Sequence, residues 1–73
     1  MIRGNFFYQR LGECIITARR RMGISQEQLA LLSDVDRTYL ARIEEGKANP
    51  TIKILNKLAR TLRVRLHRLF KRL

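Results

Sequence analysis

Phe7, Leu11, Ile15, Ala18 and Met22 recur at spacings of four, four, three and four residues, which is the apolar stripe of an amphipathic helix. The pattern predicts a first helix from Asn5, a residue able to cap its start, to Met22, with Gly23 placed for a left-handed stop. Gly12 inside it weakens the helix by roughly 1 kcal/mol relative to Ala, so another backbone is expected to pass close by. Ser25-Gln26-Glu27-Gln28 is a capping box, and helix 2 runs from it through Leu29, Ala30 and Leu32 to about Ser33. Asp34 and Val35 read as a tight turn. Asp36 then caps a third helix, Arg37 to Glu45, with Leu40 and Ile43 facing inward and Gly46 closing it. Lys47-Ala48-Asn49-Pro50 is a loop, and Thr51 caps helix 4, whose inward face is Ile52, Leu55, Leu58, Ala59 and Leu62. A last segment with Leu66, Leu69, Phe70 and Leu73 on one face reads as helix 5.

A chain of 73 residues buries only about 60% of its unfolded surface, so residues 1–73 are expected to form one all-α domain. Neither an internal repeat nor a linker breaks the pattern. Sixteen Lys and Arg stand against six acidic residues, for a formal charge of +10, and everything after Glu45 is basic or uncharged. Such a field points to a polyanionic partner without separating DNA from RNA or an anionic membrane. The single cysteine, Cys14, excludes an internal disulfide framework and reads as a small apolar residue. With no apolar run near the roughly 18 residues of a membrane span and no signal-like start, the expected location is the cytoplasm. His67 has no second ligand or nucleophile nearby in sequence. No catalytic constellation, metal site or cofactor motif is visible, and a chain this short leaves no room for a separate small-molecule domain. Phe6, Phe7 and Tyr8 read as core or interface residues rather than base-stacking ones.

Two short helices, at about 25–33 and 36–45, meeting across a tight turn have the spacing of a helix-turn-helix. The stretch from Leu11 to Phe70 also resembles the Cro and phage-repressor (XRE-like) family of DNA-binding domains. The resemblance is carried by Leu11-Gly12, Ile15, Arg19, Gly23-Ile24-Ser25-Gln26, Leu29-Ala30, Ile43-Glu44, Gly46, Asn49-Pro50 and Leu58-Ala59. Asp36-Arg37-Thr38-Tyr39 looks most like the controller proteins of restriction-modification operons. The resemblance implies a five-helix lambda-repressor-like fold and a non-enzymatic regulator that binds double-stranded DNA as a homodimer on a near-palindromic operator. An antitoxin that also represses its own operon is the rival reading, and a membrane-surface C-terminal helix a weaker third. The chain departs from the family in four places. Asp34 stands at the turn Gly and Arg63 at the Gly ending helix 4, Arg65 replaces a Ser or Thr cap, and His67 with Arg68 replaces acids at the start of helix 5.

In a major groove, the N-terminal part of the recognition helix presents Arg37, Thr38 and, one turn on, Arg42 to base edges. An Arg offers two parallel hydrogen bonds to guanine O6 and N7, and Thr38 offers a methyl to thymine. A phosphate contact or a solvated face is the other reading of both arginines. Tyr39 suits either a phosphate or the core edge, and Asp36 reads as a cap. Lys47, Thr51 and Lys53, around the loop and the start of helix 4, form an anion site for phosphates. By the resemblance, Gln26 holds a further phosphate, and Arg19 and Glu44 form a buried structural ion pair. The apolar face of helix 5, with Leu66, Leu69, Phe70 and Leu73, needs cover and is the candidate dimer interface, with closure of the core as the alternative.

Overall fold

Residues 4–70 are described in the computed structural model, with side chains from Phe6 onward, and among them there is no strand. The helices are α1 (Gly4–Met22), α2 (Gln26–Ser33), α3 (Arg37–Glu44) and α4 (Ile52–Leu62), followed by a 3-10 segment, Leu66–Phe70. α1 packs on α3, α2 on both α3 and α4, and the 3-10 segment on α1 and α4. Leu11 and Ile15 from α1, Leu29 from α2, Leu40 and Ile43 from α3, and Leu58 from α4 are almost wholly excluded from solvent. The apolar periods therefore meet in a single core.

Several boundaries differ from expectation. α1 is already helical at Gly4, so Asn5 lies within the helix and not ahead of it. The ends of its apolar stripe, Phe7 and Met22, are exposed, because a 19-residue helix of about 28 Å overhangs eight-residue partners of about 12 Å. Ile52, expected inside, begins α4 and is 61% exposed.

The fifth helix is corrected to a five-residue 3-10 segment. Arg63 ends α4 in the left-handed region, and Arg65 offers no short side-chain acceptor to cap a new α-helix. The segment then opens with no acidic residue, and with His67 and Arg68 where a helix dipole disfavours positive charge.

Every α-helix stops in the same way. The amides of Gly23, Asp34, Gly46 and Arg63 donate to carbonyls three residues back, at 3.0, 3.3, 3.1 and 3.2 Å, and each following amide donates five residues back. All four stop residues have positive φ, which suits Gly23 and Gly46 but strains Asp34 and Arg63.

Two close approaches join α1 to the end of α3. A Cβ on Gly12 would lie 2.6 Å from the Ile43 carbonyl oxygen and 2.5 Å from that of Glu44. One on Gly46 would lie 2.7 Å from the Gln9 Cα. Only glycine fits at either position, so the angle of α3 against α1 is set by backbone contact.

Candidate nucleic-acid interface

α2 and α3 are each two turns long, and side-chain caps fix where both begin. The Ser25 amide donates to Gln28 Oε1 at 2.7 Å, and the Gln28 amide donates to Ser25 Oγ at 3.0 Å, closing the capping box. Asp36 Oδ2 accepts from the Tyr39 amide at 3.0 Å, so Asp36 is occupied as a cap. Between them, the Asp34 stop is braced from α4 by Lys57, whose Nζ donates to the Asp34 carbonyl at 3.4 Å and lies 3.8 Å from its carboxylate.

Beneath α3 lies a polar cluster. Arg19 Nε donates to Glu44 Oε2 at 2.9 Å and Nη2 donates to Oε1 at 3.1 Å, while Nη1 donates to the Ile24 carbonyl at 3.2 Å. Gln26 Nε2 adds a 3.0 Å bond to Glu44 Oε1. The side chains of Arg19 and Glu44 are 14% and 4% exposed. One carboxylate thus ties α1 and α2 to the last turn of α3, and Arg19 extends the tie to the α1–α2 turn. The side-chain polar atoms buried among the described residues all have hydrogen-bond partners.

On the outer side, Arg37 and Thr38 are exposed on the first turn of α3. Arg37 Nη1 lies 3.8 Å from Glu27 Oε2 across the groove between α2 and α3. Tyr39 is half-buried and packs on the core. Arg42 does not extend freely along α3; its Nη2 donates to the Lys47 carbonyl at 3.0 Å, drawing the guanidinium to the loop. Lys47 is exposed, with Glu45 Oε1 at 3.7 Å from its Nζ. Thr51 Oγ1 accepts from the Ile54 amide at 3.1 Å, and Lys53 is exposed on the first turn of α4. The contacts of Glu27 with Arg37, of Lys57 with Asp34 and of Arg42 with the Lys47 carbonyl carry no local sequence signal, because the partners lie on other elements or on a loop whose path no local pattern sets.

Of the four residues expected to pair two copies, Leu69 is taken into this chain's own core at 2% exposure, so it is corrected to a core residue. Leu66 and Phe70 are half-buried, and Leu73 lies outside the described residues. No group of three or more His, Cys, Asp or Glu side chains suited to hold a metal ion occurs among the described residues. No described helix is long and apolar enough to cross a membrane.

A family model described as helix-turn-helix matches residues 15–69. An uncharacterized HTH-type transcriptional regulator of Haemophilus influenzae is 50% identical over 44 residues, covering 60% of this chain and 45% of its own. The HTH-type transcriptional regulator SlrR of Bacillus subtilis is 43% identical over 61 residues, covering 82% of this chain and 40% of its own. The chain therefore spans less than half the length of both relatives. Among solved structures, the restriction-modification controller protein C.AhdI from Aeromonas hydrophila superposes with a TM-score of 0.84 at 35% identity, over 86% of this chain and 96% of that one.

Proposed function

The chain belongs to the helix-turn-helix family of the Cro and phage-repressor type, and from that premise we propose that it regulates transcription as a homodimer on a near-palindromic operator. The observation that carries this reading is the pairing of an exposed first turn, Arg37 and Thr38, with an α3 held from beneath by Arg19, Glu44 and Gln26. A reading helix must hold its side chains at fixed angles to base edges, and a buried, fully bonded cluster supplies that rigidity.

Arg37 donates to a guanine and Thr38 places its methyl against a thymine. Arg42 reads a further base by leaving the Lys47 carbonyl, or stays and stiffens the loop. Lys47, Lys53 and the Tyr39 hydroxyl reach phosphates. Thr51 still has its own hydroxyl proton to donate while it caps α4, and Gln26 has a second amide proton beyond the one given to Glu44. Leu66 and Phe70 hold the two copies together, and two α3 helices then enter successive major grooves about 34 Å apart.

Selection of bound sites from random duplex DNA, with sedimentation of the free protein, tests this reading. The expected result is a dimer and an enriched inverted repeat with at least one guanine per half-site. Recovery of sequences with no shared motif, or of single unpaired half-sites by a monomer, would overturn it.

A further inference from the structure

α3 is held unequally at its two ends. Its last turn is fixed by buried groups: Glu44 accepts from Arg19 and Gln26, and the Ile43 and Glu44 carbonyls lie against Gly12. Its first turn, which carries Arg37 and Thr38, follows directly on residues 34–36, where Val35 is buried and Asp36 is the cap. Asp34 opens that turn in the left-handed region, where a residue other than glycine is strained. What holds Asp34 therefore bears on where α3 begins.

Two kinds of contact hold it. The Asp34 amide donates to the Leu31 carbonyl at 3.3 Å, a bond to its own helix. The Asp34 carbonyl accepts from Lys57 Nζ at 3.4 Å, and the Asp34 carboxylate lies 3.8 Å from the same ammonium. Lys57 stands in the middle of α4, which packs on α2 and α1. A single ammonium thus carries the position of α4 to the residue three places before Arg37. The Lys57 side chain is 35% exposed against 67% for Lys47, so its stem lies along the protein and its charge is held in one place. Asp34 and Arg37 also border the same groove between α2 and α3. Lys57 offsets the negative charge of Asp34 there, so that less of it acts on the Arg37 guanidinium.

We propose that Lys57 is a positioning residue: it aims Arg37 and Thr38 by holding the α2–α3 turn from α4, and takes no phosphate itself. The proposal rests on the reading of α3 as the base-reading helix. Two parallel hydrogen bonds from an arginine to a guanine tolerate a displacement of only about 0.5 Å. A lysine on a phosphate, a point charge on a flexible stem, tolerates more. Loosening the turn therefore costs preference between sequences before it costs affinity for duplex DNA.

The test compares Lys57→Met, which keeps most of the stem and removes the charge, with Lys57→Arg, which keeps both charge and donor. Each is titrated at several salt concentrations against the selected operator, operators with one base pair changed, and scrambled duplex, with urea melts alongside. In Lys57→Met the preference for the operator over the changed duplexes should narrow by about twofold to fivefold, the most that a part-exposed ion pair carries. Scrambled-duplex affinity, salt slope and urea midpoint should shift less. Lys57→Arg should restore the preference. Asp34→Gly supplies a second background should Lys57→Met disturb folding, because glycine relieves the left-handed strain and still offers its carbonyl to Lys57. The preference should survive in Asp34→Gly and narrow once Lys57→Met is added to it. Equal weakening on operator and scrambled duplex, with the salt slope lower by about one unit, would make Lys57 a phosphate contact and overturn the proposal. A preference unchanged in Lys57→Met would overturn it as well, with the base-reading role of α3 intact. A wild type that prefers none of these duplexes would remove that role, and the proposal with it.

Discussion

Two arginine–glutamate pairs involve α3, one beneath it and one beside its first turn. Arg19 and Glu44 are 14% and 4% exposed and meet through two hydrogen bonds of 2.9 and 3.1 Å, with Gln26 and the Ile24 carbonyl satisfying further atoms. Arg37 and Glu27 are 61% and 74% exposed and approach only to 3.8 Å. The same two side-chain types thus do opposite things. Out of water, each charge depends on the other and the pair fixes where α3 sits. In water, the attraction is screened and worth about 0–1 kcal/mol, so Arg37 can leave Glu27 for a stronger anion at little cost.

The buried pair can be broken from either side, and this gives the largest expected effect. Glu44→Leu or Arg19→Met alone should each lower stability by about 3–5 kcal/mol in urea melts, and the double variant should recover part of the loss. Arg19→Met should be the worse of the two, because it strands a carboxylate that is 4% exposed with only Gln26 left to donate to it. A stranded Arg19 is more exposed and keeps its bond to the Ile24 carbonyl. If either single variant melted like wild type, the seam would carry no more weight than the surface pair.

How much of this contrast the sequence showed depends on the range of each interaction. The capping box of Ser25 and Gln28 and the caps of Asp36 and Thr51 were legible because donor and acceptor lie three residues apart. The inward faces of Leu11, Ile15, Leu40 and Leu58 followed from helical period. The tie between Arg19 and Glu44 spans 25 positions and came only from the family resemblance, since no local pattern joins those residues. Nothing in sequence marked Glu27 as the neighbour of Arg37, or turned Arg42 back onto the Lys47 carbonyl, because both depend on the angle at which α2 meets α3 and on the loop path. At the C-terminal end, the apolar spacing of Leu66, Leu69 and Phe70 concealed a 3-10 segment. Period reports which side is apolar, whereas missing caps and an adverse dipole decide whether an α-helix forms.

On the exposed side, the expected effect is on binding and not on folding. Arg37→Ala should cost about 1–3 kcal/mol on the selected operator and flatten preference at one base pair per half-site, with the urea midpoint unchanged. Lys53→Ala should weaken operator and scrambled duplex alike and lower the salt slope by about one unit, as expected when one phosphate is no longer neutralised. Titrations at several salt concentrations distinguish the two patterns. Equal weakening on both duplexes for Arg37→Ala would move that residue from reader to anchor.

The smallest change sharpens the comparison most, because it removes a glutamate from the exposed pair as Glu44→Leu does from the buried one. Glu27→Gln keeps the shape of α2 and deletes one negative charge beside Arg37. With both partners more than half exposed, removing the attraction should alter stability by no more than about 0.5 kcal/mol. Binding should move the other way: Glu27 lies next to the residue proposed to enter the groove, where a carboxylate repels phosphates and competes for the guanidinium. Its neutralisation should therefore tighten duplex binding by about twofold to fivefold at low salt, with the gain shrinking as salt rises. If Glu27→Gln instead weakened operator binding with folding intact, the 3.8 Å approach would be a positioning interaction that aims Arg37, and the exposed pair would share the orienting duty assigned to the buried one.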